Sequence, residues 1–379
     1  MTTITSGRQL FSTVTEDGRL VVSIEPLEVP APAADEVVVE MRAAPINPSD
    51  LGTLLAPADM ATARAETVDG HPALVAEVKA AMRRYVAPRV GKKIAVGNEG
   101  AGVVVAAGSS DAAQARLGKT VTLVGGMMYR THRVVTASEA LPLPDGASAA
   151  EGASLFVNPM TAQSFLSTMR LEGHSALVHT AAASNLGQML AKLCAKEGVP
   201  LVAIVRSEAQ RAILAELGVE HIVDSSKESF VRDLIAAIAT TGATLGFDAI
   251  GGGEMANTIL IAMEQALLQR GEKPGAYGTT VQKQVYIYGR LDTGSTTLTP
   301  SYGLYWNVGG WLVTPHLEKI GMEETIAMRR YAIEERNGIF RSEYTDTISL
   351  DDMIDPEVAR AYERKATGQK YLVDPSRRA

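Results

Sequence analysis

Between Phe156 and Trp306 the chain alternates apolar runs of strand length with longer segments of helical period. ALVHTA precedes NLGQMLAKLCAKEG, LVAIVR precedes SEAQRAILAELG, HIVDSS precedes ESFVRDLIAAIATTG, LGFDAIGG precedes EMANTILIAMEQALL, and QVYIYGR follows. In the first helical segment Leu186, Met189, Leu190, Leu193 and Cys194 recur with the spacing of one buried helix face. The strand runs do not alternate apolar with polar, which suits parallel strands covered on both sides. The pattern predicts an α/β fold with a doubly wound parallel sheet over 156–306.

Elsewhere the rhythm differs. From Glu36 to Arg133 short β-branched runs (VVVEM, GVVVAAG, KTVTLVG) are broken by Gly, Pro, Asn and Asp, the signature of a mainly β domain. The tail SLDDMIDPEVARAYERKATGQKYLVDP offers an acidic-led helix and a closing strand, KYLV, that can complete the first domain. The expected organisation is a discontinuous domain, 1–155 with 307–379, around a second at 156–306. Within the first, HPALVAEVKAAMRRYVAPRV gathers Leu74, Val75, Val78, Met82, Tyr85 and Val86 on one helical side. It predicts a helical insertion at about 53–93, serving as a lid or an interface.

Composition narrows the function. At 379 residues the chain suits two domains, and its 46% hydrophobic and 21% charged residues are globular values. A net charge of -7 leaves no basic excess for nucleic acid or an anionic membrane, so the expected partners are small molecules. The N-terminus carries no secretory pattern, and a cytoplasmic location is expected. Residues 294–317 are uncharged, but their Gly, Thr, Pro and Ser content argues against a membrane span. Cys194 is the single cysteine, which excludes an internal disulfide and cysteine-rich zinc sites, and its place on an apolar helix face reads as a buried thiol. The six histidines show no tight ligand spacing, and no metal is expected.

The candidate chemistry begins at HTAAASNLG, residues 179–187, set between a strand run and a helical segment. A dinucleotide turn needs small residues for a tight bend, for backbone approach to pyrophosphate and for helix packing. Ala182, Ser184 and Gly187 take these positions here. Ser184 adds a hydroxyl for phosphate, and Asn185 can cap the helix. At the end of the next strand run, where an NAD enzyme usually carries a carboxylate, stands Arg206. A guanidinium there can bind a 2′-phosphate, so the expected cofactor is NADPH.

These stretches, with PINPSD at 45–50, GNEGAGVVVAAG at 97–108, ASLFVNPMTAQSFL at 153–166, YGRL at 288–291, GGWL at 309–312 and ATGQK at 366–370, resemble the medium-chain dehydrogenase/reductase superfamily. The resemblance is to its zinc-independent quinone oxidoreductase and trans-2-enoyl thioester reductase branch. It implies a Rossmann domain beside a GroES-like catalytic domain. Asn98 stands where zinc alcohol dehydrogenases carry a histidine ligand, and their cysteine ligand falls near Asn47, so the resemblance implies a zinc-free enzyme. Carried over residue by residue, it places Asn158 and Thr161 near nicotinamide and phosphate. Ala183, Ser184, Asn185, Leu186 and Gly187 would hold the pyrophosphate, and Arg206 with Ser207 the adenosine phosphate. Tyr288, Gly289, Arg290, Leu291, Gly310, Trp311 and Leu312 would line the nicotinamide pocket, with Lys370 closing on the cofactor. Asn158 also reads as a helix N-cap before PMTAQSFL.

One departure bears on mechanism. The thioester reductases place a tyrosine shortly after NPSD as proton donor, and Ala58 stands there instead. The candidate catalytic side chains are therefore Asn47 and Tyr85, with Tyr129 a further tyrosine and the donor unassigned. The expected reaction is NADPH-dependent reduction of an activated C=C bond or a quinone. Lys79, Arg83, Arg84, Arg89, Lys92 and Lys93 could form a basic rim for an acyl-pantetheine substrate. The alternative from another class is a redox-inactive NADPH-binding sensor or scaffold. The resemblance also implies a homodimer, with 294–312 as its surface.

Overall fold

The computed structural model describes residues 6–364 and 369–378, so residues 366–368 of the ATGQK stretch lie outside the described residues. The chain forms two compact units, Met1–Val157 with Arg341–Ala379, and Asn158–Phe340.

In the first unit the VVVEM run forms the strand Glu36–Pro45, which pairs antiparallel with Glu99–Ala107, His132–Thr136 and Tyr371–Val373. Val37, Val39, Met41 and Ala44 pack in one core with Leu51, Leu54, Val104 and Leu123. The closing strand lies beside Pro45, with Ile46 N donating to Tyr371 O at 3.0 Å. Three residues distant in sequence thereby become neighbours: Asn47 follows one strand, Glu99 begins the next, and Lys370 immediately precedes the third.

The expected helical insertion is corrected. HPALVAE is a strand, His71–Glu77, paired antiparallel with Arg19–Glu28 and Arg64–Val68. Asp69 (φ 51) and Gly70 (φ 81) form the tight turn that joins Arg64–Val68 to it, both in the left-handed region that suits a two-residue hairpin. The apolar run misleads because both faces are covered: Leu74 and Ala76 enter the main core, while Ala73 and Val75 pack with Val21. A run buried on both sides has no period to separate strand from helix. Only Arg83–Val86 forms an α-helical turn there, and Tyr85 is 74% exposed on it rather than part of an apolar face.

The second unit is a six-stranded parallel sheet in spatial order His221–Asp224, Leu201–Val205, Leu177–His179, Leu245–Asp248, Lys283–Ile287, Trp306–Gly310. Side-chain alternation sends Leu177, Ala203 and Phe247 to one apolar cluster and Val178, Val202 and Ile204 to another, so helices cover both faces. Cys194 is buried in the helix Asn185–Glu197, and burial pushes its thiol up to about 12. Trp306–Gly310 pairs with Lys283–Ile287, and the helices Val313–Ile320 and Met322–Glu334 follow in the same unit. The chain therefore returns to the first unit at Arg341, later than the expected 307, because pairing with the sheet edge retains the intervening segment. Among the described residues no helix is long and apolar enough to cross a membrane.

Candidate active site

The turn after Leu177–His179 is built around Ala181 (φ 49) and is tied to the sheet by Ala182 N donating to Ile204 O at 3.2 Å. Ser184, not Asn185, is the N-cap: its hydroxyl accepts from Gly187 N at 3.1 Å, and Asn185 is the first helical residue. The serine lies in extended conformation with its oxygen over the first turn, as a cap requires. Gly187 presses the helix onto the turn, for a Cβ there would lie 2.1 Å from Ala182 O. This is the packing role of the last glycine in a dinucleotide turn, and the end of the 13-residue helix faces it with its positive pole. Ala183 is buried and Leu186 half-buried beside it.

Arg206 follows the buried strand Leu201–Val205, is exposed, and makes no ion pair among the described residues. Its backbone N–H donates to Gln210 Oε1 at 2.9 Å, while Ser207 caps the helix Glu208–Glu216. Asn158 and Thr161 are buried in the first turns of the helix Val157–Leu171. Asn158 therefore sits inside the helix and is not its N-cap, a correction to the sequence reading.

Tyr288 and Trp311 join one aromatic cluster. The Tyr288 hydroxyl meets His179 Nε2 at 2.8 Å, and Phe165 lies edge-on to both Tyr288 and Trp311, at centroid separations of 4.9 and 4.8 Å. Trp311 Nε1 donates to Thr168 Oγ1 at 3.2 Å. Burial pushes His179 down to about 3, so it is neutral. Around these two residues Gly289 is half-buried, whereas Arg290, Leu291, Gly310 and Leu312 are exposed.

The first unit holds a polar cluster that the sequence reading named only in part. Glu99 and Asp50 are both buried. Asn47 Nδ2 donates to Glu99 Oε1 at 2.8 Å, and Glu99 Oε2 accepts from Phe156 N at 2.7 Å and Val157 N at 2.9 Å. Asp50 Oδ1 accepts from Asn98 N and Oδ2 from Asn47 N, both at 2.8 Å. Burial pushes Asp50 up to about 7, although these N–H groups oppose it. Burial likewise raises Glu99, against the nearby Lys370 charge. Lys370 is itself buried and is pushed down to about 8 by burial, with Glu99 and Asp50 pulling the other way. Its Nζ lies 3.4 Å from Ser342 Oγ and 5.7 Å from the centre of the Tyr344 ring.

The Asn47 amide has a fixed orientation, because a carboxylate accepting N–H bonds requires the NH2 toward Glu99. Asn47 and Asp50 form a capping box at the start of the helix Pro48–Leu54. Tyr129 is buried with its hydroxyl donating to Pro45 O at 3.0 Å, and Ala58 is buried in a bridge to Val78. Tyr85 takes no part in the cluster. The expected rim is also thinner: Arg89 reaches Thr53 O at 2.8 Å and Lys93 pairs with Glu25, leaving Lys79, Arg83, Arg84 and Lys92 exposed. Among the described residues no three His, Cys, Asp or Glu side chains gather as a metal site would need.

The doubly wound parallel sheet and the mainly β unit are the fold that the resemblance to the medium-chain dehydrogenase/reductase superfamily implies, and solved structures of similar proteins share it. No family model matches the chain. Among solved structures, one described as an NADPH:quinone reductase from Mesorhizobium loti is 22% identical with a TM-score of 0.70, covering 99% of this chain and 100% of that one. Etr1p in complex with NADP and crotonyl-CoA is 18% identical with a TM-score of 0.67, covering 98% and 100%. Among curated sequences, the mitochondrial enoyl-[acyl-carrier-protein] reductase of Bos taurus is 27% identical over 230 residues, 58% of this chain and 54% of the relative. The match thus spans about half the length of that relative, 54%.

Proposed function

We propose that the chain is an NADPH-dependent oxidoreductase that reduces an activated C=C bond or a quinone by hydride transfer. The observation that carries this reading is the pairing of a capped, glycine-packed turn at Ser184 and Gly187 with an exposed Arg206, without an ion pair among the described residues, at the end of the adjacent strand. The residues fit the cofactor: the helix end and turn amides suit pyrophosphate, and the guanidinium suits the 2′-phosphate that distinguishes NADPH. The names of the similar proteins, which include NADPH, NADP and an enoyl thioester, support the same choice.

NADPH would supply hydride to the carbon β to a carbonyl, or to a quinone. Ser184 and the turn would hold its pyrophosphate, and Arg206 with Ser207 its adenosine phosphate. Asn158, Thr161 and the Tyr288 and Trp311 segments would border the nicotinamide. Asn47, as the candidate catalytic side chain, would meet charge developing on the substrate oxygen, and Lys370 would close on the cofactor.

A second copy of the chain is the proposed partner. Trp306–Gly310 is an edge strand paired on one side, and Leu298, Leu304 and Tyr305 beside it are exposed at 40%, 68% and 52%. Such an edge with apolar neighbours favours pairing with another chain.

The test is NADPH oxidation by the purified protein over a panel of quinones, enones and enoyl thioesters. Turnover with at least one class is expected, with NADPH preferred over NADH. Tight NADPH binding without turnover over the whole panel would favour a sensor or scaffold instead.

A further inference from the structure

In the parallel sheet of the second unit, Leu177–His179 lies between Leu201–Val205 and Leu245–Asp248, with Lys283–Ile287 beyond the latter. The chain leaves Leu177–His179 for one side of the sheet and later returns on the other. Open α/β sheets bind ligands in the crevice outside such a reversal of strand order. His179 ends that strand, and Thr180 opens the turn that carries Ser184 and Gly187. Both side chains bond to segments on the far side of the reversal. Thr180 Oγ1 donates to Asp248 Oδ1 at 2.7 Å and accepts from Ala249 N at 2.8 Å. His179 reaches further: its Nε2 meets the Tyr288 hydroxyl at 2.8 Å, the two rings stacked 5.8 Å apart at 15°. Neighbouring strands are spaced by about 4.8 Å, so this contact bridges about 10 Å of sheet, across the strand that carries Phe247.

An imidazole is a costly choice for that position. His179 is fully buried against Phe165, which itself stacks on Phe247 at 3.8 Å. Burial keeps the ring neutral, with one donor and one acceptor nitrogen. The Tyr288 hydroxyl meets one of them, and Nδ1 is buried without a partner among the described residues. An unmet buried polar atom costs stability, and an apolar side chain of similar size would fill the cluster without it. The position thus gives up stability for a single hydrogen bond, made to the first residue of the segment that would border the nicotinamide. That segment is gripped from the other side as well. Tyr288 N donates to Asp248 O at 3.0 Å and Leu291 N to Ala249 O at 3.1 Å, the two residues that Thr180 holds. A Cβ on Gly289 would stand 2.6 Å from Ala249 O, so the fit is close.

We propose, resting on the reading that this unit binds NADPH, that His179 is a positioning residue for the cofactor. Its bond to Tyr288 fixes the segment 288–291 against the turn 181–187, so that the sites for nicotinamide and pyrophosphate keep one spacing. Thr180 does the same for 248–251 through Asp248, whose carboxylate also accepts from Ile250 N at 2.9 Å and Gly251 N at 3.1 Å. Arg206 and Ser207 follow Leu201–Val205, on the opposite side of Leu177–His179 from Tyr288. The adenosine end of the cofactor therefore lies outside the bridge that His179 makes. Loss of the bridge is felt by the nicotinamide half alone.

The test is calorimetric titration of the full chain with NADPH and with 2′,5′-ADP, which carries the adenosine and its 2′-phosphate but no nicotinamide. His179→Leu should weaken NADPH about tenfold, the upper worth of one neutral hydrogen bond, and leave 2′,5′-ADP within about twofold. Tyr288→Phe keeps the ring and its packing and should give the same split. The double variant should lose no more than the weaker-binding single one, because both remove the same bond. His179→Gln keeps an N–H and a carbonyl within reach of the hydroxyl and should recover most of the affinity. Equal losses for the two ligands, additive losses in the double variant, or unchanged NADPH binding by Tyr288→Phe would each overturn the proposal. If His179→Leu fails to fold, Tyr288→Phe decides by the same comparison. A wild type that binds neither ligand would instead defeat the cofactor reading itself.

Discussion

Gly187 lies so close to Ala182 that a Cβ on it would stand 2.1 Å from the Ala182 carbonyl oxygen. The turn and the helix Asn185–Glu197 therefore hold their spacing only with hydrogen at that position. Gly187→Ala should cost about 1–3 kcal/mol through forced movement of the turn. It should also weaken NADPH binding more than it weakens folding, as seen by comparing urea denaturation with cofactor titration.

Arg206 is the residue proposed to select the nucleotide. Arg206→Ala should weaken NADPH by about 1.5–3 kcal/mol, the worth of hydrogen bonds to a charged group, and leave NADH nearly unchanged. Fluorescence titration with both cofactors measures this. Equal losses would remove the basis for choosing NADPH.

Asn47 donates to a buried carboxylate, so Asn47→Leu leaves Glu99 Oε1 without its N–H. An unmet buried acceptor costs about 1–3 kcal/mol, more when charged. Chemical denaturation should show a loss of that order, and Asn47→Gln should not repair it, because the longer side chain misplaces the amide.

His179 makes the second unit acid-sensitive. Its folded pKa is lowered to about 3 from the usual 6.5, so between these values the unfolded chain binds a proton that the folded chain does not. Stability from this group is fully present above 6.5 and is lost as pH falls towards 3. The slope is about 1.4 kcal/mol per pH unit within that window. Denaturation from pH 7 to pH 5 should therefore destabilise the wild type more than His179→Gln, and parallel curves would show that His179 is not held neutral.

The Rossmann unit was legible because its information is local. Strand runs, helix faces and the small-residue turn each lie within a few residues, and Ser184, Gly187 and Arg206 are read from one strand–helix–strand passage. The segment 71–77 was misread because its run ALVA is buried on both faces, while the Asp69–Gly70 turn that marks a hairpin went unused. The return at Arg341 was missed because it depends on Trp306–Gly310 pairing with Lys283–Ile287, which no local pattern states. The same holds for the polar cluster. Asn47 and Lys370 were singled out, but Asp50 and Glu99 join them only because three strand ends meet. The signal lay in PINPSD and GNEG, each of which sets a carboxylate close to an asparagine in an otherwise apolar setting.

The most direct test of the reductase reading is a single turnover with NADPH deuterated at its hydride position, mixed with excess enzyme and each of a quinone, an enone and an enoyl thioester. Loss of the NADPH absorbance is expected with at least one acceptor, with deuterium at the β carbon of any reduced enone or thioester. Bound NADPH that persists unchanged with every acceptor would contradict it.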